Sequence, residues 1–203
     1  MANETPRVFV ALIHFPVYNK ARQIVASSLT TLNLHDLARI TVTYGTLGLY
    51  VVTPLRRQQE LANDVITHWT EGYGAVYNPT RAEALQHLRV VDTLDQVEYD
   101  IVRQCGIAPH YIATDARRFP GRVSYADLRQ KLWELGSVFL LLLGTAWGLS
   151  DELINRCKYI LTPIYGPTSY NHLPVRVAAG IILDRLLGTM EPAVSISCHS
   201  HAS

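Results

Sequence analysis

The sequence predicts an α/β protein in which a parallel sheet carries helices on both faces. Short apolar runs rich in β-branched residues alternate with longer segments of helical composition, which indicates right-handed strand–helix–strand crossovers. Hydrophobic residues form 48% of the 203 residues and charged residues only 17%, so the chain can bury a substantial core. Because no internal repeat or long linker interrupts this order, residues 1–190 are expected to form one domain and residues 191–203 a flexible tail.

The strands are predicted from apolar runs bounded by polar or turn-forming residues. They span residues 7–15, 49–54, 88–92, 110–114, 137–144 and 159–164. The run SVFLLLLG is the most hydrophobic, which places it near the centre of the sheet. Ligands of such sheets bind outside the carboxyl ends of the strands, so the residues just past strand ends deserve inspection: Thr53, Thr114, Gly144 and Pro163.

The helices are predicted where apolar residues recur at helical spacing or where the composition is helical. They span residues 34–45, 55–69, 81–87, 93–105, 125–135, 150–157 and 171–187, and residues 72–80 and 115–124 are expected to be loops. Polar residues at helix starts are candidate N-caps. These are Asn33, Thr93, Ser150 and Asn171.

Composition and charge exclude several classes of protein. A net charge of +1 does not fit a strongly basic nucleic-acid coat, although it is compatible with a local basic patch. The longest apolar stretch is far shorter than the roughly 20 residues that span a bilayer, and the N-terminus has no signal-peptide pattern.

Cys105, Cys157 and Cys198 form no paired spacing, which fits a reducing compartment. We therefore expect a cytoplasmic protein, and we interpret CHSHAS at 198–203 as part of the tail rather than as a metal site, because it lacks supporting residues.

The segment GTAWGLS, residues 144–150, is the first candidate for ligand binding. Gly144 and Gly148 allow backbone groups to approach a flat ligand closely. The spacing matches neither a Walker loop nor the GxGxxG fingerprint, so phosphate binding is not predicted. By itself the segment is explained equally well as a strand-to-helix turn capped by Ser150.

Polar residues on the first predicted helix form a second candidate. Asn33, Asp36 and Arg39 recur about one turn apart and therefore line one side of the helix. The alternative is a solvent-facing ion pair between Asp36 and Arg39, which would contribute little.

Together with the C-terminal helix, these segments resemble the motifs of the SPOUT RNA methyltransferases. NLHDLARITVTYGTLGLYVV resembles the first motif, LLLGTAWGLS the second, and YILTPIYGPTSYNHLPVRVAAGIILDRLL the third, in the same order. HFPV, NLHDLAR, GYGAVYNP and YNHLPVR are similar to segments of a small bacterial group of predicted S-adenosylmethionine (SAM)-dependent RNA methyltransferases, also found joined to tRNA guanine-N1 methyltransferase. The resemblance implies a C-terminal trefoil knot, a homodimer and SAM as the cofactor.

The resemblance also implies which residues hold the cofactor. The adenine would lie between the backbones of Leu143–Thr145 and Pro163–Gly166, with Thr114 near the methionine moiety and Leu173 closing an apolar wall. The implied cofactor-binding residues are Thr114, Leu143, Gly144, Thr145, Gly148, Pro163, Ile164, Gly166, Asn171, His172 and Leu173.

Arg39 is the catalytic residue that the resemblance implies, and Asn33 and Asn171 would orient the acceptor or its ribose. A guanidinium stays protonated, so Arg39 would position a phosphate or an acceptor oxygen rather than remove a proton. His35 is an alternative base, because histidine titrates near neutral pH, but the motif does not require it.

The expected substrate is RNA rather than DNA. Arg117, Arg118 and Arg122 follow a strand end and are predicted to contact phosphates, the alternative being ordinary loop solubility. Many ribose-methylating SPOUT enzymes carry a glutamate in the second motif where this sequence has Ala146 or Trp147, so the acceptor atom stays open. The predicted function is SAM-dependent methylation of tRNA or rRNA. The alternatives are a non-catalytic SPOUT-fold protein that binds SAM or RNA, and a generic nucleotide-binding domain.

Overall fold

A six-stranded parallel sheet forms the centre of the protein, as the alternation of elements predicts. The computed structural model describes residues 5–134 and 136–189, so the predicted tail with CHSHAS and Cys198 lies outside the described residues. In chain order the strands are β1 (Val8–Ile13), β2 (Val17–Tyr18), β3 (Ile24–Val25), β4 (Gly48–Val52), β5 (Leu88–Val91), β6 (His110–Thr114), β7 (Phe139–Gly144) and β8 (Tyr159–Ile160). The helices are α1 (Thr31–Thr43), α2 (Arg56–Thr70), α3 (Tyr73–Tyr77), α4 (Pro79–Gln86), α5 (Leu94–Cys105), α6 (Tyr125–Leu132), α7 (Asp151–Asn155) and α8 (Val175–Leu187).

The order of strands across the sheet is β5-β4-β1-β7-β6-β8, so the apolar strand β7 is central, as predicted. Successive side chains of a strand point to opposite faces, and β1 supplies both halves of the core in this way. Val8, Val10 and Leu12 pack with α1, α2, α4, α6 and α8, whereas Phe9 and Ala11 pack with α5 and α7. After β1 the chain adds β4 and β5 on one side of β1 in the sheet. The strands β7, β6 and β8 lie on the opposite side of β1. The carboxyl ends of β1 and β7 therefore form the topological switch point of the sheet.

The segment 72–80, predicted to be a loop, contains α3 and the start of α4. The Asn78 side chain accepts a hydrogen bond from the Arg81 amide and caps α4, and Pro79 occupies the first helical position. Proline is favoured there because the first helical amides need no intrahelical partner. The Asn-Pro pair thus starts a helix here, and the prediction of a loop was wrong.

The predicted caps divide into two groups. Thr93 and Ser150 accept hydrogen bonds from the amides of Gln96 and Leu153, as predicted for N-caps. The prediction was wrong for Asn33, because α1 begins at Thr31 and Asn33 is buried in its first turn.

The last helix begins at Val175 rather than at residue 171, so Asn171 is not its N-cap. A proline disfavours helical backbone at the residue before it, so Pro174 prevents α8 from starting at Leu173 or earlier. The Asn171 side chain donates instead to the Ala116 carbonyl, 3.1 Å away. The preceding strand β8 ends at Ile160 rather than at residue 164, because the Thr162 amide bonds to the Val123 carbonyl of a neighbouring loop.

Candidate cofactor site

A cavity of about 720 Å³ lies at the switch point, at the carboxyl ends of the central strands. Volumes of about 300–1,000 Å³ are typical of sites for small molecules and cofactors. Of the residues predicted to bind the cofactor, the structure brings nine to its wall: Thr114, Leu143, Gly144, Thr145, Gly148, Ile164, Asn171, His172 and Leu173. The other two, Pro163 and Gly166, do not line it, since Pro163 is buried and Gly166 faces solvent.

The glycine loop that bounds the cavity packs tightly against the protein itself. A Cβ atom on Gly144 would lie 3.0 Å from the Leu149 amide nitrogen. Gly148 has a φ of +95°, and a Cβ atom there would lie 2.7 Å from the Asp115 carboxylate. Both glycines are therefore needed for the turn into α7, in agreement with the structural alternative. The same turn brings the backbone of residues 143–146 to the cavity wall.

A chain of hydrogen bonds that the sequence analysis missed supports this loop. His14 Nδ1 lies 2.8 Å from the Ser27 hydroxyl, which lies 2.6 Å from the Thr145 hydroxyl, which donates to the Ile13 carbonyl at 2.8 Å. The Ile13 carbonyl can only accept a hydrogen bond, so the Thr145 hydroxyl donates to it. The Ser27 hydroxyl then donates to Thr145, and His14 donates to Ser27 from Nδ1. The hydroxyl of Thr145 is thus engaged within the protein, and only its backbone is available to a cofactor. His14 directly follows the buried strand β1. It therefore occupies a strand-end position, but it was not among the strand-end residues singled out from the sequence.

An ion-pair cluster closes one side of the cavity. Arg117 contacts Asp115 at 2.8 Å and Asp151 at 2.8 Å, and it donates to the Leu149 carbonyl. Arg22 pairs with the second carboxylate oxygen of Asp151 at 2.7 Å. The Asp115 side chain is only 3% exposed, so its charge depends on Arg117. Arg117 was predicted to contact RNA; in the structure it joins the loop after β6 to the segment that leads into α7.

The other two arginines of the predicted RNA-binding loop contact a tyrosine. Arg122 donates to the Tyr165 hydroxyl at 2.9 Å, and the guanidinium carbon of Arg118 lies 5.6 Å from the centre of the Tyr165 ring. Tyr165 was not among the predicted site residues. It directly follows Ile164, which lines the cavity.

The predicted catalytic residues lie in different places. Asn33 and Asn171 line the cavity, whereas Arg39 is exposed on α1 and does not. The ion pair between Asp36 and Arg39, the alternative to a functional role, is not formed, because Asp36 pairs with Arg176 of α8 at 3.0 Å. The tertiary contact between α1 and α8 brings this closer partner, which helix periodicity did not reveal.

His35 lies outside the cavity wall, so the structure does not favour it as a base. Its ring packs edge-on against Trp69 at 5.6 Å, and its Nδ1 atom is buried with no hydrogen-bond partner among residues 5–134 and 136–189. Burial and the nearby Arg81 lower the pKa of His35, which keeps the ring neutral. These contacts are those of a packing residue.

One polar group in the cavity wall has no partner within the described residues. Tyr125 lines the cavity, and its hydroxyl is buried without a hydrogen bond. Burial raises the pKa of this hydroxyl, so it is a neutral group. Buried polar groups almost always have partners, and the nearest charged group to this ring is the Arg185 guanidinium, 4.9 Å from the ring centre.

Neither a metal site nor a membrane span is found in the described part of the chain. No three His, Cys, Asp or Glu side chains of residues 5–134 and 136–189 are grouped to hold an ion. No helix within those residues is long and apolar enough to cross a bilayer. Both Cys105 and Cys157 are free thiols.

A doubly wound parallel sheet with a cavity at its switch point defines an α/β protein that binds a small molecule at the carboxyl edge. The chain belongs to a family of SAM-dependent RNA methyltransferases, whose family model matches residues 7–188. This finding confirms the predicted family.

Known proteins agree with this assignment. The chain is 43% identical over 181 residues to a tRNA (guanine-N(1)-)-methyltransferase of Oleidesulfovibrio alaskensis. The aligned residues cover 89% of this chain but only 42% of that protein. It is 41% identical over 186 residues to an uncharacterized protein of Aquifex aeolicus, covering 92% of this chain and 90% of that protein. The SpoU methyltransferase AviRb of Streptomyces viridochromogenes, solved with AdoMet, has a similar fold, with a TM-score of 0.51 at 18% identity over 91% of this chain and 58% of that one. The predicted fold class is thereby confirmed.

Proposed function

We propose that this chain transfers a methyl group from SAM to an RNA substrate, tRNA or rRNA. The observation that carries the proposal is the cavity at the switch point, to whose wall two distant motifs contribute eight of the predicted residues and Thr114 contributes the ninth. A relative covered over 42% of its length is named as a tRNA methyltransferase, and a protein of similar fold was solved with AdoMet. Both facts support the proposal.

The cavity wall fits the cofactor. Bound SAM would supply a methyl group on a positively charged sulfur. The backbone around Gly144 would approach the flat adenine, Leu173 and Ile182 would provide apolar wall, and the unpartnered Tyr125 hydroxyl would bind a polar group. The residues that hold the acceptor, Asn33 and Asn171, would align it with the methyl group.

We propose that the active unit is a homodimer. Arg39 is exposed and lies outside the cavity of its own chain, so the catalytic role implied for it would require Arg39 of a second copy to reach this cavity. Exposed apolar side chains support such a contact, since Leu32 is 60% exposed and Val177 is 43% exposed. A two-fold axis would then complete both sites at once.

We also propose that α8 is threaded through a loop as a trefoil knot. In support, α8 lies against both α1 and α6: Gly180 faces Ile40, and Arg129 donates to the carbonyls of Arg185 and Gly188.

The second candidate function is a protein that binds SAM or RNA without transferring methyl groups. The observation that favours it is the second motif, where Ala146 or Trp147 stands in place of the glutamate that many ribose-methylating SPOUT enzymes carry. The base or ribose atom that accepts the methyl group is therefore part of what the experiment must establish. A cytoplasmic location follows from an RNA substrate of this kind.

The test combines SAM binding with methyl transfer. We expect the wild-type protein to bind SAM in calorimetry and to transfer tritium from labelled SAM to bulk RNA of a strain that lacks the gene. Arg39→Ala should lower transfer by about 100-fold or more while SAM affinity stays unchanged. Arg57 is also an exposed arginine but lies on α2. Arg57→Ala is therefore the matched control and should behave as wild type.

Three results discriminate between the functions. SAM binding without transfer by the wild-type protein would favour the binding protein. Absence of SAM binding at millimolar concentration would contradict methyl transfer and also a protein that binds SAM. Mass spectrometry of nucleosides from the deletion strain would identify the modified base or ribose.

A further inference from the structure

We propose that Tyr165, with Arg118 and Arg122, forms a binding site for an unpaired nucleotide of RNA at the rim of the cavity. The inference rests on the proposed function and specifies the form of its substrate. Tyr165 is 47% exposed, although an aromatic ring of this size is more stable when buried. Arg122 donates to its hydroxyl at 2.9 Å, and the guanidinium carbon of Arg118 lies over its ring, 5.6 Å from the ring centre.

The charge at this rim is not neutralised within the described residues. Arg118 and Arg122 have no carboxylate within 4.0 Å there, whereas Arg117 of the same loop has two. Two guanidinium groups that converge on one tyrosine without a counterion form a local positive site on a chain of net charge +1. Such a site attracts phosphate, and guanidinium groups bind it through paired donors.

Backbone hydrogen bonds fix this site beside the cavity. The Val123 amide donates to the Ile160 carbonyl at 2.9 Å, and the Thr162 amide donates to the Val123 carbonyl at 3.0 Å. These bonds join the arginine loop to the segment that follows β8. Thr162 and Ile164 of that segment line the cavity, so Tyr165 lies one residue from its wall. A nucleotide bound at Tyr165 is therefore a neighbour of the one that enters the cavity.

The combination of groups selects the ligand. An exposed aromatic ring stacks on the face of a nucleobase, and flanking arginines bind the phosphates on either side of it. A base inside a duplex has both faces covered by its neighbours and cannot stack on a protein side chain. The site thus favours RNA whose target region is single-stranded, as in a loop, over a continuous duplex.

The experiment measures RNA affinity by fluorescence anisotropy. The probes are a short single-stranded RNA and the same sequence annealed into a duplex. Tyr165→Ala should weaken binding of the single strand by about 10-fold, and Tyr165→Phe, which keeps the ring, should change it by less than about 3-fold. Duplex binding should change little in either variant. Arg118→Ala should weaken binding of both probes, because phosphates are common to both.

The matched control is Tyr99→Ala. Tyr99 is 62% exposed and has Arg103 at 5.8 Å from its ring, but it lies on α5, away from the cavity. Its loss should leave both RNA affinities unchanged. Calorimetry with SAM and the melting temperature establish that each variant is folded.

The outcomes separate the inference from the proposed function. If the wild-type protein methylates RNA while Tyr165→Ala keeps full affinity for the single strand, the nucleotide site is wrong and the methylation stands. If Tyr165→Ala specifically loses the single strand while the wild-type protein transfers no methyl group, the nucleotide site stands and the reaction is wrong. Base stacking would be overturned if Tyr165→Ala lost equal affinity for the single strand and the duplex. It would also be overturned if Tyr165→Phe lost as much affinity for the single strand as Tyr165→Ala.

Discussion

His14 and Ser27 are joined by a hydrogen bond of 2.8 Å in a region where His14 has no exposure to solvent. Through the Ser27 and Thr145 hydroxyls this bond connects the loop after β1 to the glycine loop after β7. Both loops form the cavity wall, and Ser27 and Thr145 belong to it. The buried histidine therefore acts as a positioning residue for the site, and its properties can be tested without knowledge of the RNA substrate.

The first prediction concerns the stability of the protein in acid. Burial lowers the pKa of His14 to about 4 from 6.5, because its cation would lose hydration. Between those pH values the unfolded chain binds more protons than the folded chain, so the free energy of unfolding falls as the pH drops. This one group should account for about 3 kcal/mol lost by pH 4, and its contribution is complete above pH 7. Urea unfolding at a series of pH values measures it.

The control for His14 is His14→Asn, whose amide can donate to Ser27 but does not titrate. The stability difference between wild type and variant should shrink by the same amount as the pH falls through this window. Parallel stability curves for the two proteins would show that His14 is not protonated on unfolding.

The second prediction concerns Gly148→Ala. A Cβ atom there would lie 2.7 Å from the Asp115 carboxylate, at a φ of +95° that disfavours alanine. We expect a loss of about 2–3 kcal/mol in the free energy of unfolding, together with weaker SAM binding. Gly121→Ala is the matched control, since it has a φ of +68° with nothing within 4 Å, and it should cost about 1 kcal/mol. Equal losses would exclude the contact with Asp115 as the cause.

The third prediction separates Arg117 from Arg118. Arg117→Ala leaves the buried Asp115 carboxylate unpaired and should cost about 2–3 kcal/mol, a value reduced for the partial exposure of Arg117. Arg118→Ala should change the free energy of unfolding by less than about 0.5 kcal/mol but weaken RNA binding. Denaturant unfolding and anisotropy on the same samples measure both quantities. An Arg117→Ala protein of wild-type stability with reduced RNA affinity would restore the phosphate contact predicted from the sequence.

The fourth prediction concerns Tyr125→Phe. Removing a buried hydroxyl that has no partner should raise the free energy of unfolding by about 1 kcal/mol and weaken SAM binding by about 5-fold. Tyr111→Phe is the control with the opposite sign. The Tyr111 hydroxyl donates to Glu98, so its loss should destabilise the protein and leave SAM affinity unchanged. If Tyr125→Phe binds SAM as wild type does, the hydroxyl does not contact the cofactor.

Part of the cavity wall could be predicted from the sequence because some of its residues lie at strand ends. Leu143 to Thr145 and Thr114 lie where parallel strands stop, and parallel strands end at one edge of the sheet. The rim was predicted less well. Arg117 and Arg118 are adjacent in the chain, yet Arg117 pairs with two carboxylates, of which Asp115 is buried, and Arg118 faces a tyrosine. Their different surroundings come from α7 and from the segment after β8, which are distant in sequence.

The sequence by itself determined the α/β class, the central position of β7 and the family, because periodicity and motif order are properties of local sequence. Only the tertiary structure decided which charges are neutralised, as with Asp36 and Arg176, and which polar groups join across loops, as with His14 and Thr145. The physical reason is that ion pairs and hydrogen bonds act over about 3 Å, so partners far apart in the chain are chosen by packing. Packing also left the buried hydroxyl of Tyr125 without a hydrogen bond among the described residues, a feature that the sequence does not reveal.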